Sequence, residues 1–135
     1  MEKTLVLIKP DGVRRNLIGE IISRYEKKGL RVSAIKSVFP TLEMAVEHYK
    51  EHVGKDFFER LIRFLTSGMV IAIILEGQNA VKCARIVNGA TKYIDALPGS
   101  IRGDFAFDET ENLVHASDSL ESAKREIAIW FHEIG

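Results

Sequence analysis

The sequence predicts a layered sandwich of helices on a sheet, of the α+β or α/β class. Three observations carry that prediction. Short strand-like apolar runs interleave with segments whose apolar residues recur every three or four positions. One run, Met69 to Leu75, is apolar on both faces, as a central strand is. The 135 residues are 46% hydrophobic and 28% charged, enough to build one core without disulfide staples. Residues 1–135 therefore read as a single domain.

Leu5-Val6-Leu7-Ile8 reads as a buried strand that stops at Lys9-Pro10-Asp11-Gly12, a turn signal. Ile18, Ile21, Ile22 and Tyr25 recur at helical spacing, and that helix ends before Gly29. Leu30, Val32 and Ala34 alternate with Arg31, Ser33 and Lys36, the pattern of a half-buried strand. Thr41 is placed to cap a helix with Leu42, Ala45, Val46, Tyr49 and Val53 on its inner face. A short helix follows with Phe58, Leu61, Ile62 and Leu65 inward. After the central strand, Asn79 to Val87 reads as helix with Ala80, Cys83, Ala84 and Val87 as its face. Gly89 to Glu111 has little regular pattern, and a loop of that length in a compact domain is usually functional. Leu113-Val114-His115 is a short strand, and a last helix runs from Leu120 to Ile134. The order β-α-β-α-α-β-α-loop-β-α contains two βαβ-like halves, which fits a ferredoxin-like plan.

Lys plus Arg and Asp plus Glu number 19 each, so the net charge is zero. That balance gives no support for a nucleic-acid partner or an anionic membrane surface. It also does little to oppose self-association. The single cysteine, Cys83, forms neither an internal disulfide nor a cysteine-based zinc site. Met1-Glu2-Lys3-Thr4 runs straight into the first strand without the pattern of a signal peptide. Met69–Leu75 is too short to span a bilayer. A reducing cytoplasm is the expected location.

Neither GxxxxGK(S/T) nor GxGxxG occurs, so a phosphate site would have to be built from side chains. Arg85, Thr91 and Arg102 flank or lie in the long loop, and Lys9 stands on the early turn. An arginine fork grips two phosphate oxygens, although each cation singly also fits a solvated surface. His115 ends an apolar strand, and Ala116-Ser117-Asp118-Ser119 opens a helix whose N-terminus favours a phosphate. A neutral imidazole is a competent nucleophile, while a hydrogen-bonded core histidine fits the same position. Glu126, at the margin of the face formed by Leu120, Ala123, Ile127, Trp130 and Ile134, is placed to hold the other ring nitrogen, or is a plain flanking glutamate. Phe57 falls off its helix's apolar stripe, either as a platform for a stacked base or as a covered rim residue. His48-Tyr49-Lys50-Glu51-His52 matches HxxEH, in which His48 and His52 would bind zinc. Such a site needs a third protein ligand and usually a larger catalytic domain, and Tyr49 rather than either histidine centres the apolar face.

Asn112-Leu113-Val114-His115-Ala116-Ser117-Asp118-Ser119 resembles the signature NxxH(G/A)SD of nucleoside diphosphate kinases. Ile8-Lys9-Pro10-Asp11-Gly12-Val13, Gly89-Ala90-Thr91 and Pro98-Gly99-Ser100-Ile101-Arg102-Gly103-Asp104-Phe105 fall in that family's order, and the resemblance covers the whole chain. It implies a ferredoxin-like α+β sandwich with a four-stranded antiparallel sheet covered by helices. It implies an enzyme that passes the γ-phosphoryl group of a nucleoside triphosphate to a nucleoside diphosphate, ping-pong, through phosphohistidine at His115. Glu126 would orient His115, with Ser117 in the same network. Arg85, Thr91 and Arg102 would hold phosphates, helped by His52. Tyr49 would line the pocket, Lys9 and Asn112 would bind ribose hydroxyls and the transferring phosphate, and Phe57 would stack on the base with Leu61 beneath it. Mg²⁺ would ride mainly on the phosphates, base specificity would be broad, and the enzyme would be a hexamer or tetramer. The alternatives are an inactive nucleotide-binding relative and the zinc hydrolase. Lys92-Tyr93-Ile94 and Glu109-Thr110-Glu111 depart from the family's usual residues, which bears on loop rigidity and nucleotide affinity.

Overall fold

The structure, a computed structural model, describes residues 1–133. Four strands form one antiparallel sheet: β1 (Glu2–Ile8), β2 (Arg31–Val38), β3 (Val70–Gly77) and β4 (Val114–Ala116). Their order is β2-β3-β1-β4, so the two central strands are the most apolar ones. The side-chain period of two sorts each central strand between two cores. Val6, Ile8, Ile71, Ile73 and Leu75 pack on one face with α2 (Ile18–Lys27) and α5 (Ala80–Asn88). Leu5, Leu7, Val70, Ala72 and Ile74 pack on the other with α3 (Leu42–His48), α4 (Phe58–Leu65) and α7 (Leu120–Trp130). This is the ferredoxin-like α+β sandwich. A register shift between Val32 and Ala34 sends Val32 to the first core and Ala34 to the second.

Several elements differ from the sequence reading. Lys9–Gly12 is no simple turn: Pro10 stands at the start of a five-residue helix, α1 (Pro10–Arg14). Proline fits there because its missing N–H is one the first turn leaves unpaired anyway. α3 stops at His48, and Ala45, His48 and Tyr49 are buried while Leu42, Val46 and Val53 are exposed. The long segment after α5 holds a 3₁₀ turn at Tyr93–Asp95 and a helix, α6 (Ile101–Phe105), capped by the Ser100 hydroxyl. α6 is bolted to α2 through Arg24 and Asp104, and the Arg15 guanidinium donates to the Phe105 carbonyl. α7 ends at Trp130, Leu120 is exposed, and the expected extension to Ile134 lies outside the described residues.

Gly89 closes α5 with φ +90°, and a Cβ there would run into the Ser100 hydroxyl. No other residue type lets the chain turn from α5 into the long segment so tightly. Gly12 serves close packing instead: a Cβ would approach Ile8 Cγ2 at 2.8 Å.

Candidate active site

Three structural ends converge beside the sheet: β4, the start of α1 and the C-terminus of α3. His115 is the middle residue of β4, opposite Leu7 of β1. Two residues earlier, the fully buried Leu113 takes φ +77°, an unfavourable backbone for a branched residue. It is pinned from both sides. Its N–H donates to Asp11 Oδ2 at 3.1 Å, and its carbonyl accepts from the Lys9 N–H at 2.8 Å. The α1 turn thus sets the path by which β4 delivers His115.

The His115 ring is held through Nε2, 2.7 Å from Glu126 Oε1. The Ser117 hydroxyl donates to the same oxygen at 2.7 Å, and an Arg125 nitrogen lies 3.7 Å from Oε2. A carboxylate only accepts, so Nε2 carries the proton and Nδ1 keeps its lone pair. Nδ1 has no hydrogen bond among the described residues.

His115 opens on a cavity of ≈430 Å³. Lys9, Tyr49, His52, Phe57, Leu61 and Arg85 line it, as do Thr91, Arg102, Asn112 and Glu126. Ser117 is fully buried behind the wall, touching the cavity only through Glu126. Phe57 is half-buried rather than free: its ring lies 5.3 Å from that of His52, and Lys55 approaches its face. Glu109 reaches the cavity, whereas Glu111 turns away toward Arg14.

The cations are set in different ways. Lys9 is buried and donates to Asn112 Oδ1 at 2.8 Å. Burial, reinforced by the nearby Arg102 charge, pulls its ammonium down to about 7. Arg102 is also buried and donates to the carbonyls of Asn112, Gly89 and Val114, so it ties the long segment to β4. Burial lowers its guanidinium to about 10, which leaves it charged at neutral pH. Arg85 is exposed and donates to the Ala116 carbonyl, directly beside His115.

The nucleoside diphosphate kinase family model matches residues 2–134. The chain belongs to the nucleoside diphosphate kinase family. A nucleoside diphosphate kinase of Caldanaerobacter subterraneus is 62% identical over 134 residues, covering 99% of this chain and 96% of that one. One from Thermoanaerobacter sp. is 59% identical and covers 99% of both. Among solved structures, a nucleoside diphosphate kinase family protein from Babesia bovis superposes with a TM-score of 0.95 at 46% identity, covering 99% of this chain and 90% of that one. The apo enzyme of Encephalitozoon cuniculi also reaches 0.95, at 40% identity, over 97% of this chain and 89% of that one. The cavity is accordingly the candidate active site of a nucleoside diphosphate kinase, an enzyme that moves phosphate between nucleotides.

The HxxEH motif does not build the zinc site it suggested. α3 ends at His48 and His52 sits on a 3₁₀ turn, so the two are not stacked on one helix. His48, His115 and Glu126 do bring ligand atoms within 4.8 Å of one another. His48 is nevertheless unsuited as it stands. Its Nδ1 accepts from the Trp130 indole at 3.0 Å, so its one proton sits on Nε2 and no lone pair faces a metal. Burial, with His115 beside it, holds its pKa well below the ordinary value, which keeps the ring neutral.

Sequence reasoning did not assign His48 to this site, nor Arg125, which donates to the carbonyls of Glu47 and His48 and closes α3. One signal was present: Glu126 and Trp130 are one helical turn apart, so they share a face of α7.

Proposed function

We propose that the chain catalyses ping-pong transfer of the γ-phosphoryl group from a nucleoside triphosphate to a nucleoside diphosphate through phosphohistidine at His115. The observation that carries this is the His115–Glu126–Ser117 network, which fixes the tautomer and leaves Nδ1 as the free nucleophile. Nδ1 attacks the γ-phosphorus, the N–P bond forms as the bond to the β-phosphate oxygen breaks, and the diphosphate leaves. The imidazolium that results keeps its Nε2 proton against Glu126. A second diphosphate enters and attacks from the same side, restoring the lone pair.

Arg85, Arg102, Thr91 and His52 hold the phosphates, and Lys9 and Asn112 reach the ribose and the transferring group. Tyr49 lines the pocket beside the nucleophile. Most of the rate enhancement in such reactions is positioning and charge stabilisation. Phe57 over Leu61 supplies a stacking surface without base-edge readout, which favours broad base specificity. The only group of three or more potential ligand side chains among the described residues includes two histidines, not an all-oxygen cage. That donor set fits Mg²⁺ held by the nucleotide's own phosphates and water, where it would neutralise charge on the β- and γ-phosphates. We read residues 1–135 as one kinase domain, cytoplasmic and homo-oligomeric. No described helix is long and apolar enough to cross a membrane.

The test is labelling with γ-labelled ATP. The wild type should carry an acid-labile, base-stable label that passes to several nucleoside diphosphates, and His115→Ala should carry none. A label that survives in His115→Ala would defeat the reading, as would nucleotide binding without transfer.

A further inference from the structure

Hydrogen bonding secures His115 at one atom only. A ring held through Nε2 can still swing about that contact, and an Nδ1 that swings points away from the in-line approach. Something else must fix the plane of the ring.

His48 meets the requirement. It lies at the end of α3, 3% exposed, with its ring centroid 4.4 Å from that of His115 and the planes at 73°. No hydrogen bond joins the two histidines. His48 Nε2 is buried and has no hydrogen-bond partner among the described residues. What joins the rings is an edge contact. His48 cannot rotate away, because its Nδ1 is tied to the fully buried Trp130. Trp130 is one turn beyond Glu126 on α7. One helix face therefore anchors both imidazoles: Glu126 holds His115, Trp130 holds His48, and the two rings meet at a fixed angle. Arg125, the residue before Glu126, also ties α7 to the carbonyls of Glu47 and His48.

We propose that His48 is a positioning residue for phosphoryl transfer, a ring tethered to Trp130 that walls His115 and holds its Nδ1 in line with the incoming phosphorus. The proposal rests on the reading of His115 as the nucleophile. It assigns His48 a steric duty and no proton transfer. The reason for a histidine here is the tether: the imidazole supplies an aromatic edge on one side and an acceptor for the indole on the other.

The test is single-turnover phosphorylation by labelled ATP, with ATP affinity measured separately. His48→Ala should lower the phosphorylation rate about 10- to 100-fold, the scale of an ångström-level misplacement of a reacting atom, while the ATP dissociation constant stays within about twofold. His48→Phe, which restores the aromatic edge but not the acceptor for the indole, should recover part of the rate, to about the level of Trp130→Phe, with no proton-carrying group at that position. Trp130→Phe, which removes the tether and keeps most of the volume, should lower the rate with affinity unchanged, and provides an independent variant if His48→Ala folds poorly. Carbon and nitrogen ring signals of His115 should broaden or split in His48→Ala and do so less in His48→Phe. An unchanged rate in His48→Ala overturns the proposal, as does a His48→Phe enzyme as slow as His48→Ala. If the wild type takes no label at His115, the reading of the nucleophile fails instead, whatever the His48 variants do.

Discussion

At the residue scale, the site keeps one ionisable group, Lys9, in a state it would not hold in water. Lys9 is sunk beneath the cavity with its ammonium lowered to about 7 by burial, so at pH 8 it is largely neutral before nucleotide arrives. A polyphosphate placed beside it favours the charged form. Nucleotide binding at pH 8 should therefore take up close to one proton, visible as a binding enthalpy that varies with the ionisation heat of the buffer. The uptake should vanish in Lys9→Met, and a wild type with no buffer dependence would remove Lys9 from that role. The same depressed value has a stability sign. Between about 7 and the unfolded value of 10.5, the unfolded chain binds more protons at Lys9, so this group makes the apo protein more stable as pH rises through that window. Glu126 works by orientation. Glu126→Gln keeps the shape but can present its NH₂ to Nε2, permitting the wrong tautomer. The phosphorylation rate should fall about 10- to 100-fold, as when a partner that orients a functional imidazole is lost, with ATP affinity little changed.

At the element scale, the site depends on where chain segments stop. Gly89 ends α5 at φ +90° and ψ 174°, a region open essentially to glycine alone, and its carbonyl accepts from Arg102. Gly89→Ala should cost about 1–3 kcal/mol from the backbone alone, plus the clash with Ser100, read as a lower denaturation midpoint and a loss of activity together. An unaltered midpoint would mean that α5 and the long segment are less tightly coupled than the contacts indicate. Ser119 caps the helix that carries Glu126 and Trp130, its hydroxyl oxygen accepting from the Ser122 N–H at 3.0 Å. Ser119→Ala should cost about 1 kcal/mol of stability, measured by urea unfolding. These stops also explain what was legible beforehand. The strands and longer helices announce themselves because their periods repeat several times. α1 and α6, at five residues each, complete little more than one turn, so Pro-Asp-Gly looks like a turn and Ser100 looks like loop. The apolar residues of α3 point to a face shared by Leu42, Ala45, Val46 and Tyr49, whereas the buried face is Ala45, His48 and Tyr49, because a histidine at an inward position gives no apolar signal. The motif residues were readable as a set, since their types and spacing speak of phosphate chemistry. His48 and Arg125 were not, because their roles come from contacts 82 and 77 residues away along the chain.

At the scale of the whole molecule, the sheet leaves β2 on an edge with an apolar margin. Ile35 on that strand is 50% exposed, and Phe39 and Leu42 just beyond it are 74% and 64% exposed. An eight-residue edge strand with such side chains invites pairing, and zero net charge does not oppose it. A second copy meeting the same margin would give a two-fold contact. A separate apolar pair, Ile94 and Leu97, is 74% and 76% exposed on the segment after α5. Two independent contacts predict an assembly larger than a dimer. Sedimentation velocity of the wild type should show a species well above the 15.2 kDa chain. Leu97→Asp should leave dimers, because the β2 margin is intact. Phe39→Asp should remove the two-fold contact and leave a smaller species held through the Ile94–Leu97 face. Both side chains are exposed, so neither change disturbs the core, and each variant should still be labelled at His115. A wild type that sediments as a single chain at every concentration would overturn the arrangement. Variants that assemble as the wild type does would show that these two margins are not its contacts.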